Sequence, residues 1–538
     1  MLNCIHHITY VRRSFIDDED DSRGISIIDI FSASASDSMI STGSIGHKLD
    51  GTKKINSSTN IATAAPEINI NSLSPPYQEI LVHQYKTDEY QYTPNSATEC
   101  MLKLEQKYTP LIYEYNLADK PMLHSVKIVN NIFYVLLNMF DLQPHVMKKW
   151  RNGSFRCNGV PGGKEVNHFK MGKKDRNGNL IIECPASVDA SKNILKTFSV
   201  EEATYETELF DECERKDIEH FSPPNRQGSG SGSDSEVKIS IGMTATVKGN
   251  RTKALEWAAY HHIIGVDHIW IYINEDWNNA TDIVHRDYIT WIPYNFNIQY
   301  THEYNKARAF TPHEVFRIAS QNDALWRAKR MGLEWIVPID FDEYVEITPP
   351  TPTMHEGLSA HVSPSHTDND IDADMNTTFP NFIKSIKNAM GDEYVGMQMK
   401  SLPFGGNIQD QKQKGTAGKE TELTMDNVWH EKGVLDSKVN RRYKLILNVT
   451  DTTSIYNLHY LGGTSTGKSL LYSFLAREIR VNHYKQPDKG VFNNKGAFLQ
   501  RADDIESYTS FKEKYRTKLL DELHHHSTLT ATKRNLTS

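Results

Sequence analysis

Hydrophobic positions in the second half of the chain form short continuous runs, separated by segments with helical spacing. The continuous runs predict buried strands at Val237–Val247, Val266–Ile273 and, more weakly, Tyr288–Ile292. The helical spacing predicts helices at Thr252–Ile264 and Thr311–Arg330. Strands separated by helices of this length indicate a parallel, doubly wound α/β sheet.

A further hydrophobic run, Trp335–Ile339, ends abruptly in carboxylates. If the strand continues, Asp340 and Asp342 point to the same face about 7 Å apart, and Phe341 points back to the core. Carboxylate oxygens suit Mg²⁺ or Mn²⁺, which take one or two carboxylates and complete their shell with water and phosphate oxygens. Ligands of doubly wound sheets bind beyond the carboxyl ends of the strands. The segment therefore predicts a site for a divalent metal and a diphosphate.

The alternative interpretation of this segment is a solvated acidic turn, because Asp-x-Asp occurs often by chance. Pro338 also argues against an uninterrupted strand, since proline cannot donate a hydrogen bond to a neighbouring strand. The placement of the pair after a predicted buried strand favours the metal site.

The first part of the chain has a different pattern. Residues 1–75 are polar and lack periodicity, which predicts a disordered tail. Residues 76–222 contain short strand-like runs and predict a β-rich domain, with hairpin turns at the pairs Asn152–Gly153 and Asn177–Gly178. A Pro-, Gly- and Ser-rich segment at 223–236 predicts a linker to the next domain.

The α/β pattern extends over residues 237–500 and is interrupted once. Residues 347–374 are rich in proline and polar residues, and they predict a mobile insert beside the acidic site. Residues 501–538 predict a C-terminal helix and a tail, which we expect to be unstructured from about Leu520 and to include His524–His526.

The length, the net charge and the longest hydrophobic run limit the number of domains and the kinds of partner that we expect. The 538 residues are enough for two or three domains. The net charge of −8 gives no general attraction to nucleic acid, so we expect no nucleic-acid partner. The longest hydrophobic run, Ile132–Phe140, is about half of the roughly 20 residues that a membrane-spanning helix needs. We expect no signal peptide or anchor, because the first residues form no sustained hydrophobic region.

The chain has five cysteines, and Cys4 lies in the predicted tail. The other four, all in the first half, are Cys100, Cys157, Cys184 and Cys213. They can form two disulfides in three different pairings, and the sequence does not choose among them. None has the Cys-x-x-Cys spacing of a zinc site.

Several segments of the α/β region resemble glycosyltransferase family 92. VKGNRTKALEWAAYHHIIGVDHIWIYINE resembles the opening of the family's domain, and SQNDALWRAKRMGLEWIVPIDFDEYVEI resembles its second signature. RYKLILN and RVNHYK resemble its late elements, and all matches keep the family's order over residues 237–500. The matching residues are Lys248, Glu256, Trp257, Tyr260, His261, Gly265, Val266, Ile271, Tyr272, Asn274, Gln321, Asn322, Asp323, Trp335, Asp340, Asp342, Glu343, Tyr443, Lys444, Asn482, His483 and Tyr484.

The chain departs from the family pattern at three places. Gly249–Asn250 stands where the family has Asn-Glu, so a carboxylate is missing. Ile273 stands where the family has an aspartate, and Ala324 where it has a cysteine. The first two departures bear on nucleotide binding, for which Glu275 or Asp276 are the nearest substitutes.

The resemblance implies a GT-A fold, a Rossmann-like sheet that binds a nucleotide-sugar together with Mn²⁺ or Mg²⁺. It also implies an inverting transfer of a hexose to a hydroxyl of a glycan or polysaccharide acceptor. Galactose from UDP-galactose is the family's best-known donor. Family members usually reside in the Golgi, so the resemblance implies the secretory lumen even though no anchor is predicted.

The resemblance and the acidic pattern together nominate the site residues. The expected metal ligands are Asp340, Asp342 and His483. The expected donor-binding residues are Lys248, Asn274, Asp340 and Lys444. An inverting transfer needs a carboxylate base. The candidates for this base are Glu343, Glu431 and Asp436, and the sequence does not choose among them.

Two alternatives remain open at this point. The segment Gly462–Ser469, GGTSTGKS, fits the phosphate-binding P-loop pattern and is followed by LLYSFLAREI, which has helical spacing. Only 69 residues follow it, too few for the strands that complete such a domain. The other alternative is a catalytically inactive glycan-binding protein, which the missing carboxylates favour.

Overall fold

The computed structural model describes most of two strand-rich regions. The described residues are 100, 122–129, 132–138, 148–150, 153–171, 176–185, 195–213 except 202, 209 and 211, 239–274 except 249, 286–293, 312–347, 378–405 except 392, 423–432, 443–484 except 458, 475 and 477, 491, and 505–535. The predicted tail (1–75), the predicted linker (223–236) and all but the first residue of the predicted insert (347–374) lie outside these residues.

The first region is an antiparallel sheet of seven strands in the order β1-β2-β5-β4-β3-β6-β7. The strands are β1 (Met122–Val129), β2 (Ile132–Asn138), β3 (Phe155–Cys157), β4 (Val160–Met171), β5 (Arg176–Pro185), β6 (Thr197–Val200) and β7 (Ala203–Glu206). This part of the chain is rich in strands, as the sequence predicts.

A tight turn at Asn158 and Gly159 joins β3 to β4, and the φ angles of these residues are 53° and 77°. Positive φ at both central residues defines the type I′ hairpin turn, which favours Asn-Gly. The turn predicted at Asn177–Gly178 is wrong, because this pair lies inside β5, where Asn177 pairs with Lys170. Of the other predicted pair, Gly153 lies before β3 and Asn152 lies outside the described residues.

Disulfides between Cys100 and Cys213 and between Cys157 and Cys184 decide the pairing that the sequence left open. The first joins residues 113 positions apart on either side of the seven strands. The second joins β3 to β5 across β4. Both cross-links therefore constrain the ends and the middle of this sheet.

The second region contains an eleven-stranded sheet whose main path is β10-β9-β8-β11-β15-β13-β14-β20, with β12, β18 and β19 attached beside it. Its strands are β8 (Ile241–Val247), β9 (His268–Ile273), β10 (Ile289–Pro293), β11 (Trp335–Pro338), β12 (Glu343–Ile347), β13 (Tyr394–Gly405), β14 (Trp429–Glu431), β15 (Tyr443–Asn448), β18 (Leu470–Ser473), β19 (Ile479–His483) and β20 (Ile505–Ser507). A separate hairpin consists of β16 (Thr452–Asn457) and β17 (Tyr460–Thr464).

Among the residues that the structure describes, four helices of eleven or more residues accompany these sheets. They are α1 (Arg251–Ile263), α2 (Pro312–Met331), α3 (Phe379–Ala389) and α4 (Ser510–Asn535), and a 3₁₀ turn covers Thr424–Asp426. The three predicted strands and two predicted helices of this region are confirmed as β8, β9, β10, α1 and α2. The unstructured tail predicted from Leu520 is wrong, because α4 continues to Asn535. Among the described residues, no helix has the length and hydrophobicity to cross a membrane.

The strands β10, β9, β8 and β11 are parallel and buried on both faces. In β9, Ile269 and Ile271 belong to the hydrophobic cluster that contains α1, whereas Trp270 and Tyr272 belong to the cluster that contains α2. Coverage of both faces explains why these strands read as continuous hydrophobic runs rather than alternating ones.

Glu256 on α1 is a buried carboxylate that joins three elements. Its Oε1 accepts hydrogen bonds from the Tyr344 hydroxyl on β12 (3.1 Å) and from the Thr424 backbone N–H (2.7 Å). Burial raises the pKa of Glu256 to about 7, and the hydrogen bonds offset only part of this effect. The folded state therefore favours the protonated form.

The raised pKa of Glu256 predicts a pH-dependent stability. Its contribution is complete below the ordinary pKa of 4.5 and is lost as the pH rises through about 7. Relative to Glu256→Gln, we expect the native protein to lose up to about 3 kcal/mol of unfolding free energy across this window, since one pKa unit corresponds to about 1.4 kcal/mol. Urea unfolding near either end of the window measures the difference, and parallel pH profiles for the two proteins would contradict it.

Candidate functional site

The candidate site lies at the point of the parallel sheet where the chain stops adding strands on one side of β8 and starts adding them on the other. The chain leaves β8 through α1 to reach β9 on one side of β8, and β11 lies against the other side. In open α/β sheets the crevice beyond the carboxyl ends of two such strands is the usual ligand site. Those ends are Val247 on β8 and Pro338 on β11, and the Asp340–Asp342 segment follows immediately after Pro338.

Asp340 and Asp342 lie in a turn between β11 and β12, not within a strand. The Glu343 N–H donates to the Asp340 carbonyl (3.1 Å), and the Asp340 N–H donates to the Glu343 carboxylate (3.0 Å). The predicted strand alternation of the two aspartates is therefore wrong. β11 ends at Pro338, which cannot donate to a neighbouring strand, and the turn then gives the two carboxylates different partners.

The carboxylate of Asp340 is bound by two cationic side chains. Lys444 Nζ on β15 lies 3.0 Å from its Oδ2, and a guanidinium nitrogen of Arg317 on α2 lies 3.2 Å from its Oδ1. Burial opposes ionisation of this carboxyl, but Lys444 and Arg317 outweigh it and hold the pKa of Asp340 well below its usual range. Asp340 is consequently a fixed anion whose two oxygens are both engaged.

Glu343 is fully buried beside the same lysine. Lys444 Nζ lies 2.9 Å from its Oε2, and the Ser401 hydroxyl donates to its Oε1 (3.3 Å). Burial raises the pKa of Glu343, and the negative charge of Asp340 adds to this effect. Because its oxygens point into protein donors, Glu343 is placed to position its neighbours rather than to take a proton from an incoming hydroxyl.

Asp342 is the more exposed carboxylate of this turn, with a side chain that is 30% exposed against 24% for Asp340. His483 Nε2 on β19 lies 3.5 Å from its Oδ2. Antiparallel pairing of β12 with β19 brings the two together by setting Glu343 opposite His483. Burial lowers the pKa of His483, but the neighbouring Asp342 carboxylate outweighs it, so the pKa is raised.

The donor set of Asp342 and His483 fits a divalent ion that also binds phosphate. Within the described residues, no cluster of three or more His, Cys, Asp or Glu side chains is arranged to hold a metal. Mg²⁺-type ions nevertheless take only one or two protein carboxylates and complete their shell with phosphate and water. A carboxylate oxygen and an imidazole nitrogen 3.5 Å apart can approach one ion together. Both carboxylate oxygens of Asp340, the third expected ligand, are already engaged by Lys444 and Arg317.

The other nominated residues are placed as follows. Lys248 follows β8 with an exposed side chain, and Asn274 follows β9, where its N–H donates to the Val247 carbonyl (2.8 Å). Both therefore lie at the same edge of the sheet as the acidic turn. Glu431 is the last residue of β14 and is partly exposed. Asp436 lies outside the described residues.

The departures from the family pattern have structural explanations here. Asn250 caps α1, because its side-chain oxygen accepts a hydrogen bond from the Lys253 N–H (3.3 Å). Ile273 and Ala324 are fully buried in the core. An aspartate at the position of Ile273 would bury a charge, so this chain uses the position for packing.

Several matching residues hold the fold together rather than line the site. The Trp257 indole N–H donates to the Glu343 carbonyl (2.7 Å), and the Tyr260 hydroxyl donates to the Val345 carbonyl. Tyr260 and His261 are both fully buried in the core. Asn322 binds both the N–H (2.9 Å) and the carbonyl (2.8 Å) of Ile455 on β16.

Three residues that the sequence did not indicate also belong to the site, namely Arg317, Ser401 and His459. Arg317 and Ser401 contact Asp340 and Glu343 as described above. Burial, followed by the nearby charge of Lys444, lowers the pKa of His459 to about 3. A basic residue near the start of a helix was the only available signal for Arg317, and Ser401 and His459 gave none.

The P-loop alternative does not agree with the structure. Residues 462–464 belong to β17, and the Leu470 that follows the Gly-Lys-Ser begins β18, which pairs with β13. The helix predicted after the motif is therefore wrong at its start. A P-loop holds phosphate on the N-terminus of the helix that follows it, and here a strand stands in its place.

Comparison of the sequence with family models gives no match, and comparison with curated proteins gives none either. Membership of glycosyltransferase family 92 therefore stays a prediction from the motifs.

Lys444 contacts the carboxylates of both Asp340 and Glu343, so its removal should lower the stability of the folded state. We expect Lys444→Met to lower the unfolding free energy by about 3 kcal/mol, because it leaves the buried Glu343 carboxylate without its lysine and Asp340 with Arg317 alone. In the Glu343→Gln background the same change should cost less, since one of those charges is already gone. Urea unfolding of the four proteins of this double-mutant cycle measures the coupling. An equal loss in both backgrounds would contradict the pairing.

Proposed function

We propose that this protein is a metal-dependent inverting glycosyltransferase of GT-A type that moves a hexose from a nucleotide-sugar to a glycan hydroxyl. The carrying observation is the position of Asp342 and His483. Asp342 Oδ2 and His483 Nε2 lie 3.5 Å apart. Asp342 follows the carboxyl end of β11, next to β8, where the strand order of the parallel sheet changes side. The ordered motif matches over residues 237–500 support the same class. We extend the proposal to UDP-galactose as donor and to the secretory lumen on the motif resemblance alone.

In the proposed reaction Asp342 and His483 would hold Mn²⁺ or Mg²⁺, which would bind the donor diphosphate. When bound, such an ion acts as a Lewis acid that stabilises the charge of the departing nucleoside diphosphate. Lys444 keeps Asp340 and Glu343 in place, so the turn that carries Asp342 is rigid before the donor arrives. Arg317 and the exposed Lys248 add positive charge at the same edge of the sheet, where a diphosphate would lie.

The inactive glycan-binding alternative predicts no turnover. A screen of nucleotide-sugars for Mn²⁺-dependent release of nucleoside diphosphate separates the two proposals. Turnover of any donor favours the enzyme. Absence of turnover across the screen, with retained binding of glycans, favours the alternative.

The central test is Asp342→Asn, which removes the partly exposed carboxylate but keeps the size of the side chain. We expect metal-dependent sugar transfer to fall by about 100-fold or more, because a metal ligand is lost. Unfolding should change little, since Asp342 is partly exposed. The product is quantified as released nucleoside diphosphate with and without Mn²⁺.

A matched control for this variant is Asp287→Asn. Asp287 is exposed and precedes β10, at the opposite edge of the parallel strands. The Asp287→Asn substitution should leave the rate of sugar transfer unchanged within about threefold, which is the range of ordinary surface substitutions. Retained transfer in Asp342→Asn would count against the proposed function.

A further inference from the structure

Strand β14 presents two different faces. The His430 ring packs against the rings of Phe404 (5.2 Å between centroids) and Tyr508 (6.2 Å). Side chains alternate along a strand. Trp429 and Glu431, on either side of His430, therefore point to the opposite face.

The opposite face of β14 continues the face that carries the candidate site. Tyr484 packs on Phe404 (5.7 Å), so His483 points the other way, as its contact with Asp342 shows. His483 pairs with Pro403 on β13, and β13 pairs Phe404 with His430. The next position along this register sets Glu431 beside Pro403.

Glu431 and His483 therefore lie in one row of the sheet, on the same face, with one strand between them. Adjacent strands are about 4.8 Å apart, which separates the two backbones by about 10 Å. An inverting transfer needs its base on the side of the sugar ring opposite the leaving group. A separation of this size leaves room for a sugar ring between the metal-binding pair and Glu431.

The surroundings of Trp429 and Glu431 suit a sugar ligand. The residues that pair with Trp429 on its two sides are Gly405 and Ser507, so its large ring has only small neighbours in its row. Trp429 is partly exposed. Glu431 Oε2 is a buried oxygen that has no hydrogen-bond partner within the described residues. A buried acceptor without a partner is an expected feature of a ligand site.

We propose that Trp429 and Glu431 form the acceptor subsite, with Trp429 stacking on the acceptor sugar and Glu431 serving as the base. This inference rests on the proposed function, and it selects Glu431 among the candidate bases. It assigns to β14 a ligand of one chemical class, a sugar with a hydroxyl directed at a carboxylate and one ring face laid on an indole.

The chemical step is a single displacement. The acceptor hydroxyl gives its proton to the Glu431 carboxylate while its oxygen bonds to the anomeric carbon of the donor. The bond from that carbon to the diphosphate oxygen breaks, and its electron pair leaves with the nucleoside diphosphate. Protonated Glu431 then returns its proton to solvent. Water can replace the acceptor hydroxyl in the same step, so donor hydrolysis also reports on the base.

The first test is Glu431→Gln with UDP-galactose and Mn²⁺, or with the donor that the nucleotide-sugar screen identifies. We expect kcat for UDP release to fall about 100-fold or more, which is typical of losing a general base. Binding of UDP with Mn²⁺, measured by calorimetry, should stay within about threefold of the native value, because the donor contacts are intact. Glu431→Asp should recover part of kcat, and Glu334→Gln, a matched change at the other end of β11, should change nothing.

The second test is Trp429→Leu, assayed with methyl glycosides of common hexoses as acceptors. We expect the acceptor KM to rise about tenfold through the loss of stacking. Donor hydrolysis in the absence of acceptor should be unchanged. Equal loss of hydrolysis and transfer would show that Trp429 supports the fold, and it would overturn its acceptor role.

Failure of this inference and failure of the proposed function are distinguishable. If the native protein binds no UDP with Mn²⁺ and turns over no nucleotide-sugar, the proposed function fails and the inference falls with it. If the native protein is active and Glu431→Gln retains kcat, the inference alone is overturned. Loss of UDP binding in Glu431→Gln would also overturn it, because a base on the acceptor side does not contact the nucleotide.

Discussion

The buried ammonium of Lys444 is the interaction on which the candidate site depends. The tight turn after β11 places the partly exposed carboxylate of Asp340 and the buried carboxylate of Glu343 beside one lysine, and two adjacent anions repel one another. Lys444 lies 3.0 Å from one and 2.9 Å from the other, and the two carboxylates hold its pKa above the ordinary value although burial opposes this. With Lys444 engaged by these two carboxylates, Asp342 is the carboxylate of the turn that faces His483.

Alternate residues of β19 point to opposite faces of the sheet, one face packing in the core and the other carrying the candidate site. Within Asn482–Tyr484, Asn482 donates to the buried Glu346 carboxylate (2.7 Å), which Arg480 also binds (2.7 Å). His483 points to the other face and meets Asp342. A slip of one residue in the pairing of β19 would exchange these faces and bury His483 among aromatic side chains. The Glu346 cluster therefore fixes the register that the candidate site requires.

The elements that could be predicted from the sequence are those whose pattern is local. β8, β9 and α1 were predicted because burial on both faces produces continuous hydrophobic runs and helical spacing. The turn at Asp340 was not predicted, because it depends on the hydrogen bond from the Asp340 N–H to the Glu343 carboxylate, which forms only when the chain folds back. The helical spacing after GGTSTGKS is a local pattern that the structure does not follow, because Leu470–Ser473 pairs with β13 as strand β18.

The site itself was only partly predictable, because its members come from strands and helices distant in sequence. The family-like motifs supplied Asp342, His483 and Lys444, but they could not show which face each residue occupies. Arg317 and Ser401 follow no sequence pattern, and they became visible only once α2 and β13 were in place. Contacts of this kind depend on strand order and register, which a single sequence does not encode in any local signal.

Helix α2 links this site to the antiparallel sheet that precedes it in the chain. Arg317 near its start contacts Asp340, and Asp323, six residues later, binds Arg327 (2.8 Å) and lies 3.8 Å from Lys127 on β1. Lys127 and Asp323 are both fully buried. A buried ion pair tolerates little displacement, because each charge loses its water and depends on the geometry of its partner. The first sheet therefore fixes the position of α2, and through Arg317 it contributes to the charge balance at Asp340. The seven-stranded antiparallel sheet and the parallel strands therefore act as one structural unit at the site.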